Sequence, residues 1–182
     1  MNLGIRSLLW MPFFAALTGL GGFIRVPTPL VPFTLQTLFV YLAGDLLGSK
    51  RGAVSQLLFV TLGLLGVPVF TAGGGPGYIL QPTFGYIISF PAGAWIVGKV
   101  VERLNKPVKL WGWFLANGAG LSVIFTIGVV YLYVNVHFIV NKTLSVPQAI
   151  WSGALIFLPG EVVKIFLAAT LARRLRSVID IV

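Results

Sequence analysis

The sequence predicts an all-α integral membrane protein, a single membrane domain over residues 1–182 built as a bundle of six transmembrane helices. Two properties of its composition support this class. Hydrophobic residues make up 57% of the chain and charged residues only 9%, against roughly 25% charged residues in a soluble domain. With a mean hydropathy of +0.96, a chain of this length carries more apolar surface than its own interior can bury. Lipid is therefore the expected solvent.

Six apolar segments are candidates for membrane spans, since a helix needs about 20 mostly apolar residues to cross the hydrocarbon core. The first has an alternative interpretation as a signal peptide, because Arg6 precedes its apolar run. It lacks a clear small-x-small cleavage site, and we interpret it as a retained span. The second segment is short, and the fifth is long enough to tilt or to extend beyond the bilayer. The segments cover residues 7–24, 33–48, 52–70, 83–104, 110–140 and 147–171.

The distribution of basic residues supports six spans with cytoplasmic N- and C-termini. Cytoplasmic loops of membrane proteins are enriched in Lys and Arg, and six spans place ten of the thirteen basic residues on one face. Arg25 and Lys142 fall on the other face, and Lys164 lies inside the membrane. The basic clusters therefore orient the chain in the lipid bilayer, and we expect no nucleic-acid partner. The ten residues are Arg6, Lys50, Arg51, Lys99, Arg103, Lys106, Lys109, Arg173, Arg174 and Arg176.

The chain lacks the residues that several kinds of chemistry require. It has no cysteine, and hence no disulfide framework or thiolate metal site. Its single histidine, His137, cannot form a metal site alone. The run GDLLGSKRG lacks the spacing of a phosphate-binding loop. We predict no enzyme activity, no metal and no cofactor, so uptake against a gradient would draw its energy from an ion gradient or from another subunit.

Two charged residues, Glu161 and Lys164, interrupt the apolar run IFLPGEVVKIFL in the sixth segment. At a spacing of three they lie on one face of a helix, and each charge costs about 2.5–3.5 kcal/mol at a helix centre. One interpretation is a self-neutralising structural pair. The other is a ligand site, which ionisable residues inside a membrane favour. Pro159 leaves the carbonyl of Leu155 without its helical donor, which predicts a kink at the wall of a pocket.

Two connections on the outer face differ in composition from plain turns. The first, RVPTPLVPFTLQT, carries three prolines that stiffen it and favour a lid. Thr34 and Gln36 follow, either as a helix cap or as ligand contacts. The second, TAGGGPGYILQPTFGY, contains the glycine loop formed by Gly73, Gly74 and Gly75. Glycine lets the backbone approach a ligand and point N–H groups at an anion.

Small and polar residues inside two helices have both a packing and a functional interpretation. In the first helix, Ala15, Ala16 and Gly19 permit close helix approach, either within this protein or to a partner subunit in the membrane. In the fifth, Asn117 within LANGAG is either a packing hydrogen bond or a group of the pocket.

Three runs of the sequence, in order and spacing, resemble the BioY family. They are VPFTLQTLFVYLAGDLLGSKRGAVSQLLFVTLGLLGVPVF, GGGPGYILQPTFGYIISFP and LPGEVVK. The family comprises biotin-specific substrate-binding subunits, the S components of energy-coupling factor (ECF) transporters. The resemblance implies a six-helix bundle with a lid between the first two helices and a biotin pocket near the outer face. It also implies docking of the first helix to a transmembrane coupling subunit, with two ATPase subunits supplying the energy.

The resemblance implies roles for single residues as well. The family's charged pair falls on Glu161 and Lys164, although the family usually has aspartate at the first position. The family's Gly-Pro-Thr-Gly-Gly reads QPTFG at residues 81–85, which adds Gln81 as a polar group. We expect Glu161 to accept an N–H of the ureido ring of biotin, and Lys164 to donate to the ureido carbonyl or alternatively to meet the valerate.

The remaining groups of biotin are expected to meet residues of the two outer connections. For the valerate carboxylate we expect Arg25, Tyr86 and the amides of the glycine loop, and for the thiophane ring we expect Phe33 and Tyr78. Three other functions stay open. A standalone secondary carrier of biotin or another vitamin would often show related repeat halves, which we do not see. An intramembrane enzyme lacks its catalytic groups. A purely structural subunit would use the charged pair only for packing.

Overall fold

The computed structural model describes residues 5–28, 30–105 and 107–176, with side chains from Leu9 onward. Pro29, Lys106, the side chain of Arg6 and residues 177–182 of the C-terminus lie outside the described residues. The described chain is mostly helical, with one short β-hairpin. Its elements are α1 Ile5–Phe23, β1 Arg25–Val26, β2 Phe33–Thr34, α2 Gln36–Leu64, a 3₁₀ helix Pro76–Leu80, α3 Phe84–Arg103, α4 Leu110–Phe138, α5 Val146–Gly153, a 3₁₀ helix Leu155–Phe157 and α6 Leu158–Leu175.

Helix α2 is folded into two arms, residues 36–47 and 49–64, that meet at Gly48. This glycine has a φ of 78°, a left-handed conformation that a residue with a Cβ rarely adopts. The start of the first arm and the loop after the second arm both lie next to Gly22 of α1. A Cβ built on Gly22 would be 3.0 Å from Nε2 of Gln36 and 3.6 Å from the carbonyl of Val69, so the two arms run in opposite directions along the bundle. The two arms correspond to the predicted segments 33–48 and 52–70. They meet at the single residue Gly48, and the second arm ends at Leu64.

Glu102, at the end of α3, fixes this bend. One of its carboxylate oxygens accepts hydrogen bonds from the backbone N–H of Ser49 at 2.7 Å and from the Ser49 hydroxyl at 2.8 Å. The first N–H groups of a helix have no intrahelical acceptor, and an anion there is favoured by the helix dipole. Glu102 therefore caps the second arm from a neighbouring helix.

The centre of the bundle combines aromatic packing with close helix contacts. The ring of Phe59 packs edge-on against Phe70 at 5.4 Å and stacks on Phe90 at 6.1 Å. A Cβ on Gly120 of α4 would lie 3.1 Å from the carbonyl of Gly93 of α3, which shows how closely these two helices approach. Small residues at helix contacts are typical of bundles in lipid, where van der Waals packing drives association.

The sixth predicted segment is not one continuous helix. The chain breaks at Ala154, with φ −137° and ψ −61°, where α5 ends and a 3₁₀ turn leads into α6. Pro159 occupies the first turn of α6, a position where its missing N–H would have no intrahelical partner in any case. The kink predicted at Pro159 is therefore wrong in position, since the break precedes the proline and the proline helps to start α6.

Three helical stretches of the described chain are long and apolar enough to cross a membrane. They are Phe84–Arg103, Leu110–Phe138 and Val146–Leu175, and Leu9–Phe23 is a shorter apolar helix. Large apolar side chains project outward from them, such as Leu115, 65% exposed, and Val162, 58% exposed. Exposed apolar faces of this extent are expected where lipid surrounds the helices.

The bundle has two distinct ends. At one end the β-hairpin contacts the loop after α2, where Arg25 donates a hydrogen bond to the carbonyl of Thr71. We call this the lid end. The opposite end contains the Gly48 bend, the last turn of α3, the first turn of α4 and the last turn of α6. This end carries most of the described basic residues and is called the basic end: Lys50, Arg51, Lys99, Arg103, Lys109, Arg173, Arg174 and Arg176.

Candidate ligand-binding site

Glu161 and Lys164 form a buried ion pair at the start of α6, and each side chain is only 3% exposed. The hydroxyl of Tyr41 donates to Glu161 Oε2 at 2.7 Å. The hydroxyl of Thr37 lies 3.1 Å from both carboxylate oxygens. Glu161 also sits in the first turn of its helix, where the dipole favours a negative charge. A buried pair needs such additional hydrogen bonds to offset the loss of hydration, and here two hydroxyls of α2 supply them.

The ammonium group of Lys164 uses all three of its N–H donors. Nζ donates to Glu161, to Thr37 Oγ1 at 2.5 Å and to the backbone carbonyl of Thr34 at 2.8 Å. It also lies 4.2 Å from the centre of the Phe33 ring, within the range of a cation–π interaction. Lys164 therefore links α6 to the start of α2 and to strand β2.

A cavity opens between this network and the β-hairpin. Its volume is about 50 Å³, well below the ~300–1,000 Å³ of typical ligand pockets. Its wall is largely apolar with a few convergent polar groups, the usual character of a small-molecule site. A ligand of typical size would therefore require this cavity to enlarge. The lining residues are Val31, Pro32, Phe33, Thr34, Gln36, Thr37, Thr71, Thr83, Tyr86, Ile87, Phe90, Phe125, Phe157, Glu161 and Lys164.

Phe33 and Thr34 of the hairpin line this cavity, at the position where the proline-rich connection predicts a lid. Arg25 pairs with Thr34, and Val26 with Phe33, in antiparallel register. The ring of Phe33 stacks on Phe157 at 6.1 Å and lies against Gly160, where an added Cβ would come within 2.7 Å of its Cε2 atom. Gly160 thus provides a seat for the aromatic ring of the lid.

Six residues predicted for the site line this one cavity: Phe33, Thr34, Gln36, Tyr86, Glu161 and Lys164. Gln36 is 3% exposed, and its Nε2 has no hydrogen-bond partner among the described residues, so it is available to a ligand. The hydroxyl of Tyr86 already donates to the carbonyl of Gly153 at 2.7 Å, and its ring forms part of the wall.

The other predicted residues of the lid end lie behind the lining. Arg25 is exposed and bonded to the carbonyl of Thr71, and Tyr78 is buried with its hydroxyl 2.8 Å from Thr71 Oγ1. The amide N–H groups of Gly73 and Gly75 donate to the carbonyls of Phe70 and Gly63. Gly74 packs directly against the carbonyl groups of Gly63 and Val67. These residues shape the loop that holds Thr71 at the cavity, and their direct contacts with a ligand stay predictions.

Asn117 lies away from the cavity, in a second polar cluster nearer the basic end. Its Nδ2 donates to Asp45 Oδ2 at 3.2 Å, and both side chains are at most 1% exposed. Asp45 Oδ1 and Asn117 Oδ1 have no donor within the described part of the chain. The geometry supports the packing interpretation of Asn117.

The small residues of α1 divide between the interior and the outer surface. Ala15 and Gly19 are buried. A Cβ added to Gly19 would lie 3.3 Å from the side chain of Val69. Ala16 is exposed. The pair Ala15 and Gly19 therefore packs within this protein, and of the three only Ala16 is accessible on the outer face of α1.

Thr37 and Tyr41, which complete the coordination of Glu161, were not predicted from the sequence. The two are four residues apart, so both hydroxyls lie on one face of the first turns of α2. That periodicity within FTLQTLFVY was the available signal.

The fold and the site together define a class: a helical membrane protein with a buried charged network beside a cavity. The BioY family model matches residues 1–180. A probable biotin transporter BioY of Lysinibacillus sphaericus is 44% identical over 172 residues, covering 94% of this chain and 87% of the relative. The biotin transporter BioY of Thermotoga maritima is 36% identical, covering 95% and 97% of the two chains.

A solved structure has the same fold. The crystal structure of the S-component for biotin from an ECF-type ABC transporter superposes with a TM-score of 0.83 at 27% identity, covering 95% of this chain and 92% of that chain. On the extent of the family match and the identity to curated relatives, the chain belongs to the BioY family.

Proposed function

We propose that this chain is the biotin-capturing subunit of an ECF-type uptake system. The observation that carries the proposal is the buried ion pair of Glu161 and Lys164, held in a complete hydrogen-bond network that opens on the cavity beneath the lid. The relatives named above are biotin transporters, which identifies the ligand class for which such a network is suited.

The ureido ring of biotin carries two N–H donors and one carbonyl acceptor, and the network offers the complementary groups. Glu161 would accept from a ureido N–H in place of the hydroxyl of Thr37 or Tyr41. Lys164 would donate to the ureido carbonyl in place of the Thr34 carbonyl. Because Thr34 belongs to the lid strand, this exchange would couple ligand entry to displacement of the hairpin. The free Nε2 of Gln36 is a further donor for the ligand.

The topology that fits this role has six membrane spans with both termini in the cytoplasm. The six spans are α1, the two arms of α2, α3, α4 and the α5–α6 unit. The lid end would face outward, and the basic end inward, in agreement with the enrichment of basic residues on the cytoplasmic side of membrane proteins. A transmembrane coupling subunit and two ATPase subunits would then supply the energy, with α1 docking through its outer face around Ala16.

Calorimetric titration of the purified chain with biotin tests this function, with thiamine and riboflavin as control ligands. We expect tight binding of biotin alone, lost in Glu161→Ala. A folded protein that does not bind biotin would contradict the proposal and reduce the charged pair to a structural one. Uptake measured in cells with and without the coupling and ATPase subunits tests the partner assignment, since a standalone secondary carrier would transport without them.

A further inference from the structure

A second cavity lies at the basic end, between the first turn of α4 and the last turn of α6, far from the lid. Its volume is about 620 Å³, more than ten times that of the cavity beneath the lid. It is lined by Pro107, Val108, Lys109, Leu110, Trp113, Arg173 and Arg176.

The charged residues that line this basic cavity, within the described part of the chain, are all cations. Lys109, Arg173 and Arg176 contribute three positive charges, and no acidic residue is among the described lining residues. Within the residues that the structure describes, neither Lys109 nor Arg173 forms an ion pair. The charge of Arg176 also acts on the buried carboxylate of Asp45, so Lys109 and Arg173 are the main source of positive charge at the cavity.

Two hydrogen-bond donors at this cavity lack acceptors. Trp113 is only 2% exposed, and its indole Nε1 has no partner among the described residues. The same holds for Nη1 of Arg176, whose guanidinium lies 5.4 Å from the centre of the Trp113 ring. A buried donor without an acceptor is destabilising, and a ligand that brings acceptor oxygens would remove this cost.

The start of α4 adds a further attraction for an anion. This helix is 29 residues long, its first turn contains no acidic residue, and Lys109 at its N-cap forms no side-chain cap. The N–H of Gly112 donates to the carbonyl of Lys109 at 2.8 Å, and the N–H groups before it have no intrahelical acceptor and lie at the positive end of the helix dipole. Phosphate groups bind readily at uncapped helix starts.

The neighbouring surface indicates which anion reaches this cavity. Trp111 is 78% exposed and Leu115 is 65% exposed, so apolar side chains that suit lipid flank the start of α4. The cavity then lies where the hydrocarbon gives way to headgroups, and basic pockets between helices at this level are suited to anionic lipids. We propose that the cavity of Lys109, Trp113, Arg173 and Arg176 binds the phosphate of an anionic phospholipid headgroup, independently of the ligand site beneath the lid.

Lipid binding to the full chain in a neutral detergent tests this proposal. Native mass spectrometry would give the dissociation constants of phosphatidylglycerol and of phosphatidylcholine with the same acyl chains. We expect phosphatidylglycerol to bind at least tenfold more tightly, and Lys109→Gln/Arg173→Gln to weaken it at least tenfold. The matched control, Lys50→Gln/Arg103→Gln, removes the same charge from exposed positions of the basic end outside the cavity, and its affinity should stay within twofold of wild type.

Three outcomes would overturn the proposal. They are equal affinity for the two lipids, an equal loss in the control variant, and displacement of phosphatidylglycerol by inorganic phosphate at similar concentration, which would assign the site to a free anion. Thermal unfolding followed by circular dichroism shows whether each variant is folded. If the double variant does not fold, Lys109→Gln alone decides, with an expected loss of about threefold in phosphatidylglycerol affinity and unchanged affinity as the contrary result.

Discussion

The chain buries two carboxylates, Glu161 and Asp45, in contrasting surroundings. Glu161 is paired with Lys164 and receives hydrogen bonds from Thr37 and Tyr41. Asp45, 1% exposed, receives a hydrogen bond from Asn117 at 3.2 Å, and its Oδ1 has no donor in the part of the chain that the structure describes. Glu161 borders the cavity beneath the lid, and Asp45 is outside that lining.

The difference shows why burial of a charge does not by itself mark a ligand site. A satisfied network beside a cavity can exchange its internal partners for those of a ligand, because the geometry is already set and each lost bond is replaced. An unsatisfied carboxylate in a packed region has no such exchange and costs stability. On this basis we propose Glu161 as a binding residue and Asp45 as a polar residue that the packing tolerates.

Replacement of Lys164 by alanine should give the largest effect. It removes the donor proposed for the ureido carbonyl, and it leaves Glu161 without its counter-ion. We expect biotin affinity to fall at least a hundredfold, which corresponds to about 2.7 kcal/mol, while the protein still folds. Calorimetry on the purified variant measures this.

The matched control for this change is Lys50→Ala, at an exposed lysine beside the Gly48 bend. Its affinity for biotin should equal that of wild type. An unchanged affinity in Lys164→Ala, with circular dichroism showing a folded helical protein, would remove Lys164 from the site.

The same chemical change at the two carboxylates sharpens the comparison. Glu161→Gln keeps the shape of the side chain and removes its charge, which leaves the Lys164 ammonium buried without compensation. We expect at least a tenfold loss of biotin affinity and a lower unfolding temperature. Asp45→Asn removes a buried carboxylate that is supported only by the hydrogen bond from Asn117 and the charge of Arg176, so affinity should stay within twofold and the unfolding temperature should not fall.

Thermal unfolding and calorimetry on this pair of variants decide between the two assignments. A loss of biotin affinity in Asp45→Asn as large as in Glu161→Gln would show that both clusters serve the ligand. If Asp45→Asn lowers the unfolding temperature as much as Glu161→Gln does, then Asp45 Oδ1 accepts a hydrogen bond in the folded protein.

Much of the architecture could be predicted from the sequence because its signals are local. Apolar runs and basic clusters mark the helices and their ends, and the spacing of Glu161 and Lys164 places both on one helix face. The break at Ala154 directly follows Gly153, but a single glycine in an apolar run does not by itself mark a helix end, and the proline nearby is at a helix start. A proline inside a helical pattern therefore marks a boundary without giving its exact place.

The site was harder to predict because its partners come from distant parts of the chain. Thr37 lies 124 residues from Glu161, and no local pattern indicates that the start of α2 meets the start of α6. Glycine-loop amides pointing at a ligand were a reasonable expectation, but Gly73 donates to the carbonyl of Phe70 and Gly75 to the carbonyl of Gly63 at the end of α2. Whether a polar group faces a cavity depends on long-range packing, which single-sequence patterns do not specify.

Replacement of Tyr86 should have the smallest effect on biotin affinity of these changes. It also discriminates well between two roles of the residue, because Tyr86 borders the cavity while its hydroxyl is bonded elsewhere. The sequence predicted contact with the biotin carboxylate, whereas the hydroxyl donates to the carbonyl of Gly153 at the end of α5. In Tyr86→Phe this buried carbonyl loses its donor, which should cost about 1 kcal/mol of unfolding free energy. Biotin affinity should change less than threefold, since the ring remains in the wall. A tenfold loss of affinity with unchanged stability would instead place the hydroxyl on the ligand, and would mean that α5 shifts when the lid opens.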